Sequence, residues 1–121
     1  METDILIHLI AQIIYDRKGV NTLALDVKDI SSITDTIIIA EGNVDRHVKA
    51  IASSIVEELK KQGRQVLHVE GMEWGDWIVL DYGDVMVHLF MPGLREKYQL
   101  EKLWQSGKII NLKIDMGQKN L

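Results

Sequence analysis

The 121 residues include no cysteine, which excludes a disulfide framework, a thiolate nucleophile and a sulfur-based zinc site. Long apolar runs are also missing. None approaches the ~18 residues that a membrane-spanning helix needs, so no membrane role is expected. The opening Met1-Glu2-Thr3-Asp4 is acidic where a secretory signal is basic, and no small-residue cleavage site follows. Basic residues are in deficit, 14 Lys and Arg against 18 Asp and Glu, for a net charge of −4. The longest basic cluster, Lys60-Lys61 with Arg64 nearby, ends a helical pattern, where cations favourably meet the helix dipole. A chain that grips nucleic acid through phosphates carries a basic stripe instead, so direct sequence-specific nucleic-acid binding is not expected. These absences suit a cytoplasmic domain whose partner is a protein or a small molecule.

What remains is one domain, long enough to bury roughly two-thirds of its unfolded surface. Asp4 to Lys18 sets Ile5, Leu6, Leu9, Ile10, Ile13 and Ile14 on one face of a helix, with Thr3 as N-cap and Gly19 as stop. Thr22 to Val27 reads as a strand, Lys28 to Asp35 as a loop, and the β-branched run Thr36 to Ala40 as a strand buried on both faces. A second helix follows, capped by Asn43, with Val44, Val48, Ile51, Ile55 and Leu59 on its inner face and Gly63 after its end. Gln65 to Val69 reads as a third strand. Strand, helix and strand in this order predict a right-handed crossover between parallel neighbours. Trp77 to Asp81 and Val85 to Phe90 form a hairpin through Tyr82-Gly83, where Gly83 supplies a positive φ. Pro92 starts a short helix. Residues 107–121 form a tail of unassigned role, readable as an edge strand, a short helix or a disordered segment. The expected fold is α/β, a mixed sheet of about five strands with helices on its faces, in a domain spanning 1–106.

Residues 70 to 90 crowd together carboxylates, two tryptophans and a histidine. Asp76, Asp81 and Asp84 could hold Mg²⁺ for a nucleotidyl- or phosphotransferase, since Mg²⁺ binds through one or two carboxylates plus substrate phosphates. A thermal shift with Mg²⁺ and nucleotides tests that alternative. Strand parity opposes it: Trp77, Val79 and Asp81 share one face while Ile78, Leu80 and Tyr82 share the other. Asp81 and Asp84 flank a turn, where Asp caps backbone N–H groups. His88 falls between Met86 and Phe90, as a hydrogen-bonded core histidine would. Glu41-Gly42-Asn43 has one glycine, not a phosphate-binding fingerprint, and the serines lack a Gly-x-Ser-x-Gly elbow. No catalytic, metal or cofactor-binding residue is therefore assigned. The aromatics Trp74, Trp77, Tyr82, Tyr98 and Trp104 are more suggestive, because Trp and Tyr are common interface anchors.

Certain blocks also resemble a known family. They are Leu25-Asp26 with Ser31 and Thr34-Asp35, Ile39-Ala40-Glu41-Gly42-Asn43, Arg46 and Leu59-Lys60-Lys61-Gln62-Gly63. In the second half they are Glu70-Gly71, Gly75-Asp76-Trp77, Leu80-Asp81-Tyr82-Gly83-Asp84-Val85, Val87-His88-Leu89-Phe90, Arg95, Tyr98, Leu100-Glu101 and Leu103-Trp104. Together, from about Asp4 to Trp104, they resemble the Iojap or ribosomal silencing factor (RsfS) family. Thr36, Val44 and the absence of Pro before Glu70 depart from its pattern, and Met72-Glu73-Trp74 is not a family block. The resemblance implies a fold similar to a nucleotidyltransferase core without its catalytic acids. It implies binding to the large ribosomal subunit at its fourteenth protein, steric exclusion of the small subunit and repression of translation, and it allows a homodimer. The residues expected to meet the partner are Trp77, Asp81, Tyr82, Asp84, Tyr98, Leu100, Glu101 and Trp104.

Overall fold

Six strands make one mixed sheet in a computed structural model that describes residues 1–98, 102 and 107–116. The elements run α1 (Thr3–Asp16), β1 (Val20–Asp26), β2 (Thr36–Glu41), α2 (Asp45–Lys61), β3 (His68–Glu70), β4 (Trp77–Asp81), β5 (Val85–Phe90), α3 (Leu94–Tyr98) and β6 (Lys108–Ile109). The sheet order is β3-β4-β5-β2-β1-β6. Among the described residues, only β2 and β5 pair in parallel and every other pairing is antiparallel. The crossover expected between parallel neighbours is therefore corrected. The strand after α2 goes to the far edge, and the place beside β2 is taken by β5 of the later hairpin. β3 is three residues long and exposed throughout, as an edge strand can be, whereas the six residues of β5 are almost wholly buried beside β2.

The run Thr36–Glu41 is buried along almost its whole length because it faces two cores. On one side Ile38 and Ala40 join Ala24, Ile78, Leu80, Val85, Val87 and Leu89 beneath α1 and α2, which pack side by side. On the other side Ile37 and Ile39 join Leu25, Val27 and Phe90 in a smaller cluster. In α1 the buried face is Leu6, Ile7, Ile10, Ala11, Ile13 and Ile14, and Ile5 points outward. In α2 it is Val48, Ile51, Ala52, Ile55 and Leu59, with Val44 left outside as the N-cap residue.

Helix ends differ from expectation for local reasons. Asn43 does not cap α2; its N–H donates to His47 Nδ1 at 2.8 Å while the His47 Nε2 lies 2.7 Å from the Arg17 carbonyl oxygen. That ring thus ties the ends of α1 and α2 together. After α1 it is Lys18, at φ 69°, that turns left-handed, while Gly19 is needed for space, since a Cβ there would lie 2.5 Å from Ile14 Cγ2. The end of α2 follows the glycine rule: Gly63 at φ 84° allows the Arg64 N–H to reach the Leu59 carbonyl and the Gly63 N–H to reach that of Lys60. Pro92 lies in the turn before α3, not in its first turn. Of the tail, Lys108–Ile109 forms a short edge strand on β1, and Asp115 bonds Gln12 through both its N–H and its carbonyl. Among the described residues, no helix is long and apolar enough to cross a membrane.

Candidate functional site

The sheet face opposite α1 and α2 carries Trp77, Asp81 and His88 of the side chains that the sequence singled out. Register sets them in rows, Leu23–Ile39–His88–Val79 and Leu25–Ile37–Met86–Asp81, with Glu41, Phe90 and Trp77 in line at one end. Parity along β4 holds, because Ile78, Leu80 and Tyr82 enter the helix-side core while Trp77, Val79 and Asp81 are half-buried on this second face.

Trp77, His88 and Phe90 form one aromatic group there. The Trp77 and Phe90 rings stack with centroids 5.2 Å apart, and His88 and Phe90 stack at 6.3 Å. The indole Nε1–H of Trp77 donates to His88 Nδ1 at 3.1 Å. An accepting Nδ1 places the imidazole proton on Nε2. His88 is 6% exposed, and burial pushes its pKa down to about 4, so the ring is neutral near pH 7. The hydrogen-bonded histidine expected between Met86 and Phe90 is therefore in place, and its partner is the neighbouring strand's tryptophan.

The hairpin turn gathers the acids, each to a different partner. Asp81 accepts the Gly83 N–H at 2.8 Å, and Asp76 accepts the Trp77 N–H at 3.0 Å. Asp84 pairs with Arg64 at 2.5 Å and accepts the Thr3 hydroxyl at 2.6 Å, while its carbonyl receives the N–H groups of Asp35 and Thr36. Burial works to raise the Asp84 pKa, but the bonds from Thr3 and Arg64 outweigh it and hold the carboxyl below the usual value. One carboxylate thereby fastens α1, the end of α2 and the hairpin together. Among the described residues, no three His, Cys, Asp or Glu side chains are grouped to hold a metal ion.

The expected interface residues are distributed unevenly. Trp77 and Asp81 are half-buried on the second face. Tyr82 is 2% exposed on the opposite side, with its hydroxyl buried without a hydrogen-bond partner among the described residues. Burial drives its pKa up to about 12, against a smaller opposing pull from Arg64. Its ring supports the hairpin from within and presents no surface. Asp84 is largely committed to Arg64 and Thr3, although part of its side chain remains exposed. Tyr98 ends α3; Leu100, Glu101 and Trp104 lie outside the described residues. Trp74 is 74% exposed in the loop before β4.

Two arginines have roles that the sequence did not indicate. Arg64, grouped with the lysines at the end of α2, instead holds Asp84 and donates to the Tyr82 carbonyl at 2.8 Å. Arg95 is buried and donates to Glu41 at 3.1 Å and to the Asn21 carbonyl, fastening α3 over the end of β2 and the bulge in β1. None of these links has a spacing signal, since the partners are 18, 20, 54 and 74 residues apart.

Fold and face together define a small mixed α/β domain, helical on one side and with an aromatic group set into the other. The family model described as "Ribosomal silencing factor during starvation" matches residues 1–120, and the chain belongs to that family. The match extends past Trp104 into the tail. A "Ribosomal silencing factor RsfS" from Bacillus subtilis is 39% identical over 103 residues, covering 85% of this chain and 87% of that protein. The crystal structure of a Chromobacterium violaceum protein superposes with a TM-score of 0.84 at 33% identity, covering 98% of each chain. A mouse protein named "Mitochondrial assembly of ribosomal large subunit protein 1" is 36% identical over 74 residues, 59% of this chain and 32% of its own length.

Proposed function

We propose that this protein binds the large ribosomal subunit at its fourteenth protein, sterically excludes the small subunit and so represses translation in the cytoplasm. The observation that carries the proposal is the family match across residues 1–120. The second sheet face supports it in physical terms. A specific interface of standard size needs about 800 Å² on each partner, and a domain seated on the intersubunit surface obstructs joining by volume, without chemistry. Trp77, with Tyr98, Leu100 and Trp104, provides the anchoring side chains, and Asp81 and Glu101 provide a negative field that suits a basic ribosomal protein, while Asp84, paired with Arg64, holds the turn beside Asp81. Tyr82 acts from the core by holding the hairpin that carries Asp81 and Asp84. The likeness to a nucleotidyltransferase core without its acids belongs to the same proposal, as does a homodimer of the free protein.

Sedimentation with purified large subunits tests it directly. The protein is expected to pellet with large subunits at moderate salt and to lower the yield of joined ribosomes when small subunits are added. Failure to pellet, or pelleting without loss of joining, would overturn the proposed silencing.

A further inference from the structure

Among the described residues, β3 is the outermost strand on its side of the sheet and no further strand pairs with it. Sheet edges are ordinarily blunted by shortness, charge, proline or a covering element. β3 is short and carries Glu70, yet Leu67 is 60% and Val69 40% exposed, and Trp74 stands out in the loop that follows. Register fixes which main-chain groups are open. The Tyr82 N–H donates to the Val85 carbonyl and the Met91 N–H to that of Asp76, so Ile78 and Leu80 also turn their main-chain groups toward β5. Those of Val79 and Asp81 therefore face β3, opposite Glu70 and His68. Val69, between them, points its N–H and C=O away from the sheet. Its side chain, paired with Leu80, lies on the helix side, where Ser53, Val56 and Glu57 of α2 and Met72 complete a groove of about 250 Å³. Glu57 is the one charged residue lining that groove, and neither Glu57 nor Glu70 makes an ion pair among the described residues. On the other face of the sheet Asp81 stands beside His68.

We propose that β3 is a docking edge for an extended peptide segment, which adds to it as a further strand with an apolar side chain in the groove and lysine or arginine on either side of that residue. An incoming residue opposite Val69 closes two main-chain hydrogen bonds with it, and its side chain, on the same side as that of Val69, enters the groove. Its two neighbours point to the other face, one opposite Glu70 and one opposite His68, the position beside Asp81. Main-chain bonds supply affinity whatever the sequence, while the groove and the carboxylates select an apolar residue between two cations. The proposal does not rest on the ribosomal function given above.

The probe is a blocked heptapeptide, Ser-Lys-Val-Lys-Leu-Lys-Ser, added to the ¹⁵N-labelled chain. Shifts of the amides from Leu67 to Met72 report binding, and exchange of the Val69 amide proton with water reports strand addition. A Kd of about 1 mM or tighter is expected, with Val69 exchange slowed about tenfold or more at saturation. Three control peptides are each expected to bind at least about tenfold more weakly. The isomer Ser-Lys-Lys-Lys-Val-Leu-Ser keeps the charge but loses the alternation. A second peptide has Glu in place of each Lys. A third is N-methylated at Val and Leu and cannot donate to the edge.

Charge reversal on the protein completes the test. Glu57→Lys and Glu70→Lys alter exposed side chains, and together they are expected to weaken the Lys peptide about fivefold or more and to strengthen the Glu peptide. Absence of shifts along β3, or equal binding by the isomer or the N-methylated peptide, overturns strand addition. Indifference of the Lys peptide to both substitutions overturns the cationic partner. If Val69 exchange slows with protein concentration when no peptide is present, the edge is taken by a second copy of the chain and the proposal falls. None of these results bears on large-subunit binding, which co-sedimentation tests separately.

Discussion

Trp77 opens β4 and Tyr82 follows its last residue, and their polar atoms fare differently. The indole N–H of Trp77 has a buried acceptor in His88, whereas the Tyr82 hydroxyl is buried without a partner among the described residues. A buried hydroxyl that makes no bond loses its hydration and gains nothing in return. Tyr82→Phe removes that oxygen and leaves the packing of the ring beneath the hairpin intact. Urea unfolding is expected to show a gain of about 1 kcal/mol, with no loss of large-subunit binding. A destabilisation of similar size would mean that the hydroxyl has a partner after all. Strand parity made the opposite orientations of these two rings legible in advance. It left open which orientation was the core, because both faces of β4 are apolar.

At the scale of elements, the link between β3 and β4 depends on one backbone approach. Gly71 sits at φ 86°, and a Cβ there would fall 2.0 Å from the Trp77 carbonyl oxygen, an atom fixed in the sheet. The Gly71 carbonyl in turn receives the Gly75 N–H at 2.9 Å, closing the loop that delivers the chain into β4. Gly71→Ala combines a forbidden contact with a strained φ, and a loss of about 3 kcal/mol or more is expected in thermal or urea unfolding. A loss below about 1 kcal/mol would show that the loop can move away and that the close approach is not required. Elements themselves were largely legible, because a helix or strand writes its buried face into a period that adjacent residues share. Links between elements were not. Arg64 with Asp84, Arg95 with Glu41 and His47 with the end of α1 each join residues whose nearness is created by the finished fold. The same limit explains the misplaced crossover, since order along the chain does not say which strands become neighbours in the sheet.

For the molecule as a whole, two of these buried arrangements make stability depend on pH in the same direction. His88 has an ordinary pKa of 6.5 when unfolded and about 4 in the fold, where its surroundings exclude the charged ring. Between those values the unfolded chain binds a proton that the folded chain refuses, so acidification favours unfolding. The stability from His88 is fully present above pH 6.5, is lost as pH falls toward 4, and changes no further below that. Its size is about 3 kcal/mol, a large part of the ~5–15 kcal/mol that holds a typical domain. Asp84 continues the trend at lower pH. Its folded pKa is depressed, chiefly by Thr3 and Arg64 working against burial, so its contribution is present above 3.8 and is lost as pH falls through its folded value. Unfolding free energy measured by urea at fixed temperature should therefore decline from pH 6.5 to 4 and continue downward below it. His88→Gln removes the titrating ring while keeping an acceptor for the Trp77 indole, and the decline between 6.5 and 4 should flatten by about 3 kcal/mol. An unchanged slope in that variant would mean that His88 is protonated as readily in the fold as in the unfolded chain, so that burial does not hold the ring neutral between pH 6.5 and 4. The pH profile of stability thus checks, without any partner present, that the buried His88 ring stays neutral, the state in which its Nδ1 can accept the Trp77 N–H.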